Sequence, residues 1–122
     1  MSGMRRMIPI TITAAADGLS NAVDLEEEML VGFIVSASWT AAAISFLAAP
    51  TSAGTYGSCY DDANAEITVA SAGVVAGRTV LFSSAVTEKL RGVQYLKLRS
   101  GITGAAVQQA ATRTFTLITR QF

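Results

Sequence analysis

Residues able to do chemistry are few in this chain, and most of their usual partners are missing. The 122 residues include no histidine, the commonest general base and metal ligand. The one cysteine, Cys59, has no second thiol with which to form an intrachain disulfide. A free cysteine is most often a small, half-buried apolar residue. Asp61 and Asp62 form an adjacent acidic pair, but neighbours on an extended chain point to opposite faces and make no carboxylate dyad. With Asn64 and Glu66 they offer loop oxygens of the kind calcium takes, at too low a density for an EF-hand. "GITG" (101–104) has two glycines without the lysine of a phosphate-binding loop and reads as a turn. A nucleophile needs a base, and GxSxG, HExxH, Walker and GxGxxG signatures are all absent. The expectation is a protein that is not an enzyme and that uses no metal or cofactor.

What remains is binding chemistry. In "RGVQYLKLRSG" (91–101), Val93, Leu96 and Leu98 are apolar while Tyr95, Lys97 and Arg99 take alternate positions. A strand here buries one face and turns a ring and two cations outward. Arg5 and Arg6 fall in an expected N-terminal arm, residues 1–7. Arg5, Arg6, Tyr95, Lys97 and Arg99 are therefore the candidate partner contacts, arginine being favoured in interfaces for its planar fork of donors. "EEE" (26–28) reads as a solvated bend, or as a dock for an arginine patch on a neighbouring subunit. A second candidate set is Trp39, Tyr56, Tyr60 and Asp61. If exposed together, these rings would stack on a sugar while the carboxylate took its hydroxyls.

Nine basic and nine acidic residues cancel. A net charge of zero argues against nucleic acid as the main partner, because phosphate binding needs an excess of lysine and arginine. Charged residues are 15% of the chain, against about 25% in typical domains. A neutral, lightly charged surface tends to associate, which suggests a homo-oligomer or a subunit covered by neighbours. No stretch is apolar for long enough to span a bilayer as a helix. "MSGMRRMIPITITAAA" has only a short apolar run, broken by Pro9 and threonines, and does not resemble a signal peptide. No membrane partner is expected.

The elements that must position these side chains read as strands. "MIPITITA" (7–14) alternates, with Ile8, Ile10 and Ile12 on one face, and Pro9 marks an edge strand because it cannot donate to a ladder. "AVDL" (22–25) is a short strand. "MLVGFIVSA" (29–37) reads as a central strand buried on both faces. A strand at 42–48, where the alanines also leave a helix open, ends at Pro50, and a long loop follows (50–66) with a short strand at 58–60. "EITVA" (66–70) and "RTVLFS" (78–83) are strands, the latter with Val80 and Phe82 on one face. "SSAVTEKLRG" (83–92) is the one helix signal, capped by Ser83 or Ser84, with Gly92 at the carboxyl end. The segment 93–100 is a strand and 100–111 a long loop that could extend as an arm. The last strand, 112–120, turns Phe115 and Leu117 to one face. About eight short strands and one short helix in a single domain, residues 1–122, predict an all-β sandwich of jelly-roll type.

Four blocks, "ITITAAADGLSNAVDL", "LVGFIVSASWTAAAISF", "CYDDANAEITV" and "QYLKLRSGITGAAVQQAATRTFTLITR", together cover nearly the whole chain. In order and spacing they resemble a family of small virion proteins of tailed bacteriophages and prophages. "SWTAAAISF" and "YLKLRSG…VQQAATRTFTL" are the most specific. The acidic "LEEEML" departs from that family, where a glycine-rich turn is usual. The resemblance implies a jelly-roll β-sandwich similar to carbohydrate-binding modules and to phage head-decoration proteins. The expected role is a decoration or cement protein, made in the host cytoplasm and located in the virion. Its partners would be the major capsid protein or other virion proteins. The alternatives are a sugar-binding module of a tail or fibre, and a head–tail or tail accessory protein.

Overall fold

Residues with β-branched and aromatic side chains at every second position set the local structure, and the strands they form pair almost wholly across long stretches of sequence. The computed structural model describes residues 5–121, and of Arg5 only the backbone. The elements in chain order are β1 (Arg5–Ile12), β2 (Val23–Asp24), β3 (Glu28–Ile34), β4 (Ile44–Ala49), β5 (Gly57–Ser58), β6 (Thr68–Val69), β7 (Thr79–Leu81), α1 (Ser84–Lys89), β8 (Tyr95–Ile102), β9 (Ala105–Ala106) and β10 (Arg113–Gln121). They form two antiparallel sheets. The first has the order β1-β10-β3-β7, and the second β2-β8-β4-β5, with β6 also on β4 and β9 on β8. The protein is thus all-β, with one short α-helix and one 3-10 turn (Ser71–Gly73) among the described residues.

The two sheets close on one core. Ile10 and Ile12 of β1, Phe115 and Leu117 of β10, and Leu30 and Phe33 of β3 turn inward from the first sheet. Ile44, Phe46, Leu96 and Leu98 meet them from the second. Rings bridge the layers: Phe46 of β4 lies 5.9 Å from Phe82, which follows β7, and Phe82 lies 5.5 Å from Phe33. Such edge-to-face pairs add about 0.5–1.5 kcal/mol beyond the area they bury. Pro9 does mark an edge. It lies on β1, at the rim of the first sheet, opposite Thr116. Residues 1–4 of the expected arm lie outside the described residues, and residues 5–7 belong to β1, where Arg5 pairs with Arg120.

Three segments differ from the sequence reading. "MLVGFIV" is not buried on both faces. Thr119 pairs with Leu30 but Ile118 pairs with Gly32, so Val31 is an extra residue in a β-bulge. Leu30 and Phe33 then both face the core although an odd number of steps separates them. Glycine is required at the kink, because a Cβ on Gly32 would stand 2.4 Å from the Val80 carbonyl oxygen. In α1, Ser83 is the N-cap and accepts a hydrogen bond from Val86 N–H. The helix ends at Leu90, whose N–H turns back to Val86 and Glu88, so Gly92 is not its cap.

The segment 100–111 is not an extended arm. It folds back as a hairpin, Ile102 pairing with Ala105, after Gly101 adopts φ +103°, which disfavours any side chain. Gln109 then plugs the gap between the sheets at 1% exposure. Its Nε2 donates to Thr40 O and Ser100 Oγ, and its Oε1 accepts from Thr40 N–H.

Candidate functional site

The outward face of β8 is where the sequence placed Tyr95, Lys97 and Arg99, and the register places them there. They oppose Ala49, Leu47 and Ser45 of β4 in turn, while Leu96 and Leu98 face the core. The three side chains do not share one environment.

Arg99 is 9% exposed and held from all sides. Its Nε donates to Ser45 Oγ at 2.9 Å, and its Nη2 lies 2.8 Å from Glu66 Oε2, 2.9 Å from Thr103 Oγ1 and 3.2 Å from Ser58 Oγ. Glu66 in turn accepts from the Thr103 N–H and hydroxyl. The expectation of a solvated contact at Arg99 is therefore corrected: β5, the 60–66 turn and the β8–β9 hairpin cover it. An arginine removed from water needs a carboxylate and several acceptors, and these come from four separate parts of the chain. No local spacing announces them, which is why Ser58, Thr103 and Ser45 escaped the sequence reading and Glu66 entered it only as a loop oxygen.

Tyr95 and Lys97 stay half-exposed. The Lys97 ammonium lies 4.6 Å from the centroid of the Tyr56 ring, in cation–π geometry. Tyr56 Oη donates to Ser52 O at 3.0 Å. Burial, then the neighbouring Tyr95, push the Tyr56 phenol above its ordinary value. Two rings and an ammonium thus form one surface patch, joining a residue of the expected sugar set to two of the expected partner contacts.

The other members of the sugar set are elsewhere. Trp39 packs edge-on against Phe115 at 5.0 Å and donates through Nε1 to Ala42 O, so it is a core-rim ring and not a platform. Tyr60 is exposed. Asp61 Oδ1 accepts from the N–H groups of Ala63 and Ala65, and its Oδ2 lies 3.0 Å from Lys89 Nζ, tying the loop to α1. The Ala65 N–H first, and then Lys89, hold this carboxyl below its usual range. Trp39, Tyr56, Tyr60 and Asp61 are not brought together as one site.

Arg6 meets the acidic run within the same chain. Its Nε donates to Glu28 Oε1 at 2.7 Å, its Nη1 lies 3.2 Å from Glu26 Oε2, and its Nη2 donates to Asp24 O. Glu26 takes a left-handed φ of 56° in the turn before β3, and Glu28 is buried, also accepting from the Thr119 hydroxyl. Burial alone would push the Glu28 carboxyl up. The hydrogen bonds from Thr119 and Arg6 outweigh it and leave the group below its ordinary value. "EEE" is thus not wholly solvated: Arg6 of the same chain holds Glu26 and Glu28, while Glu26 and Glu27 stay exposed and Arg6 stays half-exposed.

Cys59 is half-buried against the core, where burial pushes its thiol up and away from the reactive thiolate. Among the described residues no three histidine, cysteine or acidic side chains gather as a metal site. No described helix is long and apolar enough to cross a membrane. Depressions among the described residues mark both outer faces. One of about 420 Å³ is lined by Leu19, Leu47, Arg99, Ile102 and their neighbours. The other, of about 300 Å³, is lined by Val31, Leu81, Ile118 and Arg120 on the first sheet. Comparison of the chain with protein-family models, with curated proteins and with solved structures gives no match.

Proposed function

We propose that this chain is a non-enzymatic structural protein of a tailed-phage particle, a decoration or cement protein that binds the assembled head. The observation that carries the reading is the strand order. With the two-residue β6 and β9 set aside, the chain crosses from one sheet to the other at every step except β4 to β5. Two four-stranded antiparallel sheets linked in this way support a jelly roll, an architecture common in capsid proteins. Three of the four sequence blocks that resemble small virion proteins run through parts of β1 to β4 and of β8 and β10, strands that build the sandwich, while the block at 59–69 falls on the 60–66 turn and β6.

The docking contacts are Tyr95 and Lys97, joined by Tyr56. Binding only the assembled lattice adds the binding free energy to that lattice, and repetition over a shell lets weak single contacts suffice. The protein self-associates through the first sheet, where Met7 is 59% and Leu81 71% exposed in one cross-strand row with Ile118. A net charge of zero puts no overall repulsion between copies.

Densitometry of purified virions against the major capsid protein tests the role. The expected result is a copy number comparable with that of the capsid lattice. A few copies per particle would overturn it in favour of a tail or head–tail component. Lys97→Glu is expected to leave the isolated fold unchanged and to reduce incorporation into particles. Normal incorporation would remove this face as the dock.

A further inference from the structure

The depression of about 420 Å³ on the second sheet holds a donor that the fold leaves unused. Among the described residues, Arg99 bonds through Nε and Nη2 only, and no hydrogen bond reaches Nη1. Yet among the described residues no buried side-chain nitrogen or oxygen lacks a partner. Nη1 therefore keeps its access to water, and Arg99 lines this depression. A largely buried side chain, fixed by four partners, thus brings one preorganised, unspent donor group to the wall of the depression.

The rest of the wall narrows the choice of ligand. Asp17 Oδ1 accepts from Leu19 N–H, while no described donor reaches its Oδ2, which is left as an acceptor at the rim. Leu19, Leu47 and Ile102 supply an apolar floor, and Ala105 and Ala106 of the hairpin a low side. Arg99 is already neutralised by Glu66, so with Asp17 the local charge favours a neutral ligand over an anion. No aromatic ring of the described residues lines the depression, which removes the stacking that sugars use. What fits is a group with a hydrogen-bond acceptor, a donor and a small aliphatic side chain.

We propose that this depression binds an extended peptide segment of another chain. A backbone carbonyl accepts from Arg99 Nη1, an amide N–H donates to Asp17, and an aliphatic side chain rests on Leu19, Leu47 and Ile102. The inference is independent of the particle reading, and its test uses the isolated protein.

The probe is a capped tripeptide, N-acetyl-Ala-Leu-Ala N-methylamide, titrated into ¹⁵N-labelled protein. Methyl β-glucoside and acetate are the comparison ligands. Saturable shifts at residues 17, 19, 47, 99 and 102–106 with the tripeptide alone are expected. Removing Arg99 itself would disturb the fold, so two exposed positions serve instead. Ala105→Tyr, which fills the depression, is expected to weaken binding at least tenfold. Asp17→Asn, which turns the outward acceptor into a donor, is expected to weaken it several-fold. Both should keep the dispersed spectrum of the folded protein. Absence of saturable shifts with the tripeptide, tighter binding of the glucoside or of acetate, or undiminished binding by Ala105→Tyr would each overturn the proposal.

Discussion

Arg99 and Lys97 are next-but-one neighbours on the same face of β8, yet one is a structural group and the other a surface one. Alternation predicts that they share a face and says nothing of what lies above it. Removing Arg99 leaves the Glu66 carboxylate, itself little exposed, without its cation. Arg99→Ala is expected to cost about 3–5 kcal/mol in urea unfolding, as breaking buried pairs does. Lys97→Glu should change stability by no more than about 0.5 kcal/mol. Glu28 carries a pH signature. Its folded value lies below its ordinary one, set against burial by Thr119 and Arg6. The stability it contributes is therefore present above the unfolded carboxyl value of 4.5 and is lost as pH falls through the folded value. Glu28→Gln is expected to lower stability by about 1–3 kcal/mol at pH 7, and the gap to the native protein should close as unfolding is repeated toward pH 3. A gap independent of pH would show that the ion pair is not its source.

The long strands were legible because their period survives: Ile10 and Ile12, Phe115 and Leu117, Leu96 and Leu98 each face the core in register. Ser83 announced α1 by cap chemistry that is local to a few residues. What failed to show was whatever breaks the period or depends on a distant partner. The bulge at Val31 merges two phases of alternation into one apolar run, and the isolated Gly32 was the only sign of it. β6 falls inside the strand expected at 66–70 and β5 overlaps the one expected at 58–60, but β9 has too few residues to carry a pattern. Gln109 looked like a loop polar residue, because its partners Thr40 and Ser100 are visible only once the sheets have met. Gly32→Ala tests the bulge. The added methyl drives into the Val80 carbonyl and parts β7 from β3. A loss of about 1–3 kcal/mol is expected, with faster amide exchange in β7. Unchanged stability would mean that the strand relaxes without cost.

At the scale of the molecule, the balance between polar seams and apolar faces decides how copies meet. Leu81→Lys introduces charge into the exposed row of the first sheet without touching the core. The variant is expected to sediment as a smaller species than the native protein while melting at nearly the same temperature. If both sediment alike, self-association does not run through this face. The order of the first sheet has a further effect, on biosynthesis. β10, last of the described strands to emerge from the ribosome, is the one inserted between β1 and β3. Until it arrives, β1 lacks its partner strand and can pair only at its end, with Ser20 and Asn21, so Ile10 and Ile12 are expected to stand open to other nascent chains. The layer can close only after translation has passed residue 121, so the newly made polypeptide spends an interval vulnerable to aggregation and suited to capture by a chaperone.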